Sequence, residues 1–117
     1  MTLTEQLSQI EKDIKTSTEV VDFGNALERL RSNRDFKRVV LEGYFKDEAV
    51  RLVHLLSDPA MQTPEKQASI HTQMMGIGQM SQYFNTVFFR ARQAGKYIAD
   101  AEEMREELIA EEATSDE

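Results

Sequence analysis

The chain contains no cysteine, and this absence removes several kinds of site at once. Without thiols there are no disulfides, no thiolate zinc sites and no cysteine nucleophile. Such a composition suits a reducing compartment. Two prolines and five glycines in 117 residues are few, which favours helices over a turn-rich β fold.

Long apolar runs are also missing from the sequence. No run approaches the ~18–20 residues that a membrane-spanning helix needs. The N-terminus is polar and becomes acidic at Glu5, so it lacks the composition of a signal peptide. We therefore expect an intracellular protein that does not enter a membrane.

Residues suited to catalysis or metal binding are scarce. His54 and His71 fall on different predicted helices, and neither has an acid three or four residues on together with a third ligand. The pair Gly76 and Gly78 lacks the Lys-Ser/Thr end of a phosphate-binding loop. We predict a non-enzymatic protein with no catalytic residue, no metal site and no cofactor.

What the sequence does have is charge concentrated at one end. Of 21 acidic residues, nine lie in the last 18 positions against a single base, Arg105, so this end carries −8. Residues 1–99 hold 12 acids and 13 bases, a net charge of +1. Such segregation is typical of an interaction protein rather than an enzyme.

Basic residues form two groups that are candidate partner-binding residues. They are Arg29, Arg31, Arg34, Lys37 and Arg38 in the first group, and Arg90, Arg92 and Lys96 in the second. The alternative is that they only solvate helix ends, where cations near a C-terminus are favourable. Net acidity disfavours nucleic acid as the partner. The acidic end either keeps the chain soluble or covers these basic groups, in the same chain or in a neighbouring copy.

Near the N-terminus, apolar residues repeat at intervals of three and four. Thr2 and Glu5 have capping-box spacing and predict a first helix over about 3–15. The cluster 16–18 (TST) predicts a break, followed by a second helix with its own apolar row. The two rows are Leu3, Leu7, Ile10 and Ile14, then Val20, Phe23, Leu27 and Leu30. Either they pack as a hairpin within the chain or they form a seam between copies, and we expect self-association.

Two further helices follow. Asp35 is the predicted N-cap of a helix over about 36–57, whose apolar face is so broad that we expect packing on two sides. Thr63 and Pro64 predict the start of a long helix. Glycines 76 and 78 predict a kink, a hinge or a close approach there. The expected core is Phe36, Val40, Tyr44, Leu52, Leu56, Ile70, Met74, Ile77, Phe84 and Phe88.

The predicted fold is all-α, with helical hairpins or a small helix bundle and a long C-terminal helix. We expect an N-terminal helical hairpin or arm over 1–33, a helical core over 34–108 and an acidic, mobile tail over 109–117. The tail is expected to be mobile because its carboxylates repel and it offers little apolar surface.

Part of the chain resembles a known group of proteins. Residues 34–37 (RDFK), 41–52 (LEGYFKDEAVRL), 58–62 (DPAMQ) and 105–108 (REEL) are similar to small helical proteins of tailed bacteriophages. The resemblance covers about residues 26–112. It implies a role in virion assembly, at the head or the connector, and a location in the host cytoplasm or the virion. It implies no catalytic or ligand residues.

The sequence therefore predicts a scaffold, adaptor or minor structural protein of a phage particle, with a protein as its partner. The alternative is a phage-encoded acidic regulator that inhibits a host enzyme such as RNA polymerase or a defence nuclease. A third, less favoured reading is a packaging accessory that binds nucleic acid through the basic group.

Overall fold

The structure, a computed structural model, describes residues 1–115 of the chain. These residues form three helical segments, and no strand occurs among them. The N-terminal helix spans Leu3–Arg31, the C-terminal helix spans Pro64–Ser115, and a short 3₁₀ turn at Pro59–Met61 precedes the latter. The middle helix consists of the consecutive stretches Arg34–Phe36, Lys37–Glu48 and Ala49–Leu56. The predicted all-α class and long C-terminal helix are confirmed.

The chain divides into two compact units. The terminal unit contains residues 1–26 together with residues 87 onward, and the central unit contains residues 27–86. The bounds of these units differ from the predicted domain boundaries at residues 33 and 108. The predicted boundaries at residues 33 and 108 stay a prediction.

The N-terminal helix is unbroken where the sequence predicts a break. The hydroxyl of Thr16 donates to the carbonyl oxygen of Lys12 at 3.1 Å, and that of Thr18 donates to Ile14 at 2.8 Å. Each hydroxyl bonds to the carbonyl oxygen one turn earlier in the same helix, so it does not cap the start of a new helix. One helix runs through residues 3–31, so the predicted break and the hairpin are wrong, whereas the alternative of an N-terminal helical arm stays a prediction.

Two predicted helix starts are confirmed by their hydrogen bonds. The backbone nitrogen of Glu5 donates to the Thr2 hydroxyl at 3.1 Å, and the Thr2 nitrogen donates to the Glu5 carboxylate at 3.2 Å. This reciprocal pair is a capping box. At the C-terminal helix, Pro64 is the first residue and the Thr63 hydroxyl accepts from the nitrogen of Lys66 at 3.3 Å.

The middle helix begins earlier than predicted. Its N-cap is Asn33, whose side-chain oxygen accepts from the nitrogen of Phe36 at 3.0 Å. Asn33 has extended backbone angles, as an N-cap requires, whereas Asp35 already lies inside the helix. The prediction of Asp35 as the cap is therefore wrong by two residues.

The middle helix also winds more widely than an α-helix. Its 12-residue stretch Lys37–Glu48 is π-helical, with hydrogen bonds spanning five residues instead of four. Residues four to five apart then share a face, so Phe36 and Phe45, nine apart, lie on the same side. Both rings contact Phe84, with centroids 6.0 and 5.6 Å away. In an α-helix nine residues are about two and a half turns, which would put the rings on opposite sides.

This winding changes how the broad apolar pattern is used. On an α-helical period, the residues between 36 and 52 spread around the helix and predict packing on two sides. The π-helical stretch gathers much of the pattern into one half-buried row. The row consists of Phe36, Val40, Leu41, Tyr44, Phe45 and Ala49.

The core of the central unit centres on Leu52, Ile70 and Ile77. Leu52 and Ile70 are completely inaccessible to solvent. The partly buried residues packed against these three are Tyr44, Phe45, Ala49, Leu55, Leu56, Met61 and Met74. Most of the predicted core is confirmed here, because large apolar side chains on three elements converge.

The terminal unit is built differently, from small residues. Gly24 is buried, and a Cβ atom at that position would lie 2.4 Å from the Cβ of Ala91. Val87, Ala94 and Ala101 are also buried, and none of them is in the predicted core. The N-terminal helix supplies a heptad-spaced, buried or half-buried row of Leu3, Leu7, Ile10, Ile14, Ser17, Val21 and Gly24. The second predicted row is partly wrong, because Phe23 is exposed.

The C-terminal helix has no interruption within residues 64–115. A Cβ atom added at Gly76 would lie in ordinary contact with the Tyr44 hydroxyl, at 3.7 Å, and one at Gly78 would meet nothing within 4 Å. The helix continues through both glycines and through Gly95 to Ser115, so they do not end it, and the predicted kink, hinge or close approach stays a prediction. The tail expected to be mobile from residue 109 is likewise helical to Ser115. Its last two residues, 116 and 117, lie outside the described part of the chain.

Candidate interaction surfaces

The central unit has an open groove at the start of its middle helix. The groove has a volume of about 370 Å³ and is lined by Ser32, Arg34, Lys37, Arg38 and Glu42. We call these five residues the basic groove. Three of the five predicted basic residues of the first group therefore lie together on one wall.

The connection between two helices positions this groove. Where the N-terminal helix ends, the backbone nitrogen of Ser32 donates to the carbonyl oxygens of Glu28 and Arg29 at 3.1 and 3.2 Å. The Ser32 hydroxyl also donates to Glu28. The new helix starts immediately afterwards at Arg34, so its first turns carry the groove's cations.

The groove's cations have no ion-pair partner within the central unit, residues 27–86. Arg34, Lys37 and Arg38 make no ion pair within 4 Å and no side-chain hydrogen bond there. Because these positions are three and four apart on a helix, the like charges are neighbours and repel one another. The groove is thus a concentration of unbalanced positive charge.

Two other arginines in the same unit have carboxylate partners. Arg31 is 2.8 Å from the Glu28 carboxylate. Arg51 holds Glu48 through two donors, one of them its Nε at 3.0 Å. This hydrogen-bonded arginine keeps the pKa of Glu48 below its usual value, and Glu48 raises the pKa of Arg51. The basic groove differs from these two sites in that its three cations are close together in sequence and none of them is paired within its own unit.

The remaining predicted partner-binding residues are distributed between the units. Arg29 and Arg31 lie in the last turn of the N-terminal helix, where cations are favourable beside free carbonyl groups. Arg90, Arg92 and Lys96 belong to the terminal unit and are exposed. The eight residues therefore do not form one surface.

The terminal unit carries an exposed row of carboxylates on the C-terminal helix. Asp100, Glu103, Glu107 and Glu111 are spaced three, four and four apart, so they follow one face. We call these four residues the acidic strip. All four are exposed, and they extend over roughly 16 Å of helix.

One side-chain contact in the terminal unit joins distant parts of the sequence. The Tyr97 hydroxyl donates to the Asp13 carboxylate at 3.2 Å, across 84 positions. Partial burial and this hydrogen bond to a carboxylate raise the pKa of Tyr97. This pair was not predicted from the sequence, and only the heptad spacing of apolar residues in both helices could have indicated it.

Other kinds of site find little support in the described residues. Among residues 1–115, no group of three or more histidines and carboxylates is arranged to hold a metal ion. His54 and His71 are both exposed. In the same range, no helix combines the length and apolar character that crossing a bilayer demands.

Comparison with models of protein families, with curated proteins and with solved structures gives no match to this chain. Its function has to be inferred from its own residues and surfaces.

Proposed function

We propose that this protein is a non-enzymatic interaction component that binds a protein partner through charged helical surfaces. We further propose that it acts in phage virion assembly, at the head or connector, as a scaffold, adaptor or minor structural protein. The virion part is supported by the sequence resemblance alone.

The supporting observation is the unequal charge of the two units. The terminal unit's residues comprise 14 acids and 6 bases, a net charge of −8, whereas the central unit has 7 acids and 8 bases, a net charge of +1. Surfaces of opposite charge raise the rate at which two proteins associate, and the match of their charges selects which partners bind. The basic groove and the acidic strip concentrate this contrast in two small areas.

A protein partner fits the basic groove better than nucleic acid does. Two of its cations are arginines, whose planar guanidinium groups match carboxylates in a two-point hydrogen bond. They match phosphates equally well, but a chain with a net charge of −7 repels a nucleic acid at longer range. An acidic protein segment of limited length meets less of this repulsion.

The test is capture with matched variants. The tagged full chain, an Arg34→Ala/Lys37→Ala/Arg38→Ala variant and a control Arg90→Ala/Arg92→Ala/Lys96→Ala variant are each used to capture partners from infected cells. We expect the first variant alone to lose partners, and these partners to be released from the unmodified chain by salt. Equal capture by all three proteins would exclude the groove as the surface that binds the partner. Absence of the chain from purified particles and from captured assembly intermediates would remove the virion part.

The acidic helix favours a second candidate, the inhibitor of a host enzyme. Residues 100–112 carry seven carboxylates over about 18 Å, which is close to the charge spacing of a nucleic acid strand. The helical state of this segment holds four of these carboxylates, the acidic strip, on one face. Purified RNA polymerase and nucleases should then be inhibited by the unmodified chain. A variant with Glu103, Glu107 and Glu111 changed to Gln should inhibit less, and no inhibition at low salt would reject this candidate.

A further inference from the structure

We propose that the acidic strip of one copy of this chain binds the basic groove of a second copy. This inference rests on the proposed function, because it identifies one protein partner of the groove as the same protein. It assigns the contact to two defined surfaces and predicts how copies associate.

The groove can accept an anion, because its own unit does not pair its cations. Arg34, Lys37 and Arg38 are neighbours on a helix, and no carboxylate of residues 27–86 lies within 4 Å of their charged nitrogens. The one acid that lines the groove, Glu42, does not pair with any of them. An incoming row of carboxylates would relieve the repulsion between these cations.

The acidic strip has the matching chemistry. Its residues follow one helix face at intervals of three and four, and the groove's three cations lie within five consecutive positions of another helix. The cations are therefore concentrated over a short length, where neighbouring carboxylates of the strip can approach them together. The strip is fully exposed, so it can approach without local unfolding.

A second copy is a better occupant than a nucleic acid, although both present a row of negative charges. Every copy has a strip of −4 and a groove with three cations, so the concentration of matching partner equals that of the protein. The terminal unit's charge of −8 repels a long polyanion along its length. The second copy instead presents a short acidic segment, whose charge the groove can neutralise.

The contact joins two different surfaces and can be made once or twice between two copies. A two-fold dimer occupies both strips and both grooves reciprocally, whereas a head-to-tail pair leaves one strip and one groove unoccupied, so further copies can add. We expect association that increases with protein concentration in both arrangements. Since exposed ion pairs are individually weak, the association should be strong only at low salt.

The experiment is a charge exchange followed by sedimentation velocity of the full-length chain. One variant carries Arg34→Glu/Lys37→Glu/Arg38→Glu, and the other carries Glu103→Lys/Glu107→Lys/Glu111→Lys. We expect the unmodified chain to associate at low salt and each variant alone to lose this association at least tenfold. Mixing the two variants restores complementary surfaces, so a mixed complex should form.

Matched controls reverse the same number of charges elsewhere in the chain. They are Lys12→Glu/Lys15→Glu/Lys46→Glu for the groove variant and Glu11→Lys/Glu19→Lys/Asp22→Lys for the strip variant, all at exposed positions. Each control should associate more strongly than the variant with the same net charge, and helical content measured by circular dichroism should be unchanged in all proteins.

Three results would overturn the inference. They are a monomer at every concentration in low salt, oligomers that persist in the groove variant, and failure of the mixed variants to associate. Groove-dependent binding of a DNA oligonucleotide without self-association would instead identify a nucleic acid as the groove's partner. Salt-sensitive, groove-dependent capture of another protein without self-association would reject this inference and leave the proposed function standing.

Discussion

The two units of this protein solve helix packing with different residues. In the central unit, leucine, isoleucine and aromatic side chains fill the space between elements, and Leu52 and Ile70 are completely buried. In the terminal unit, glycine and alanine occupy the contact, and Gly24 has no room for a Cβ beside Ala91. Packing in the central unit depends on large side chains that fill the space between elements. Packing in the terminal unit depends on small residues that allow a close approach.

The units also differ in how the chain forms them. The central unit is a continuous segment of the chain, residues 27–86, and short connections join its helices. The terminal unit combines residues that are far apart in sequence, as the Asp13–Tyr97 pair shows. Bringing such segments together requires closure of a long loop, which has an entropic cost. Narrow, close-packed rows offset this cost with many small contacts.

The largest expected effect is loss of volume in the central unit. Leu52→Ala removes a side chain with 0% exposure and should lower the free energy of unfolding by about 2–5 kcal/mol. Val53→Ala, at a neighbouring position with 52% exposure, is the control and should change it far less. Urea unfolding followed by circular dichroism measures both. Equal effects would mean that the buried face of this helix is wrongly assigned.

Gain of volume in the terminal unit should have the next largest effect. Gly24→Ala places a Cβ 2.4 Å from that of Ala91, so the helices must separate, with a loss of about 1–3 kcal/mol. Gly95→Ala, with nothing within 4 Å, should instead gain about 0.5–1 kcal/mol from helix propensity. Thermal unfolding distinguishes the two signs. If Gly24→Ala also stabilises, the close approach does not exist.

The hydrogen bonds at the corner of the central unit should contribute less. The Gln67 side-chain amide donates to the carbonyl oxygens of Leu56 at 3.2 Å and Met61 at 2.7 Å. Gln67→Ala should cost about 1–2 kcal/mol, because each neutral hydrogen bond contributes about 1 kcal/mol. Gln73→Ala, whose side chain bonds only within its own helix, is the control. Native-state hydrogen exchange at residues 57–67 should report the loss locally.

The smallest expected effect is a pH dependence in the terminal unit. Since the pKa of Tyr97 is raised in the folded chain, its contribution to stability is complete below the unfolded pKa of about 10 and disappears as pH rises through the folded value. Tyr97→Phe should therefore lose less stability than the unmodified chain between about pH 9 and 11. Tyr83→Phe, whose hydroxyl makes no carboxylate hydrogen bond, should keep the full alkaline loss. Identical pH profiles for Tyr97→Phe and the unmodified chain would contradict the contact.

Much of the central unit could be predicted from the sequence because its signals are local and strong. The Thr63-Pro64 start and the core positions Leu52, Ile70 and Ile77 follow from caps and from apolar periodicity. Serine and threonine were less reliable indicators of helix starts, because their hydroxyls also bond inside a helix. The Thr16 hydroxyl, for example, donates to the carbonyl oxygen of Lys12. The two groups of basic residues were identified, but the division of the first group between the groove, which has Arg34, Lys37 and Arg38, and the helix end, which has Arg29 and Arg31, was not.

The sequence by itself determined the helical class, the separation of charge and the apolar residues that can form a core. The tertiary structure alone decided which faces are used. Gly24 is essential only because Ala91 lies opposite it, and no local pattern states which distant residue that is. Phe36 and Phe45 share Phe84 only because the helix between them winds more widely than an α-helix. Local propensity depends on neighbouring residues, whereas contact between helices depends on distant ones, and this is the physical reason for the division.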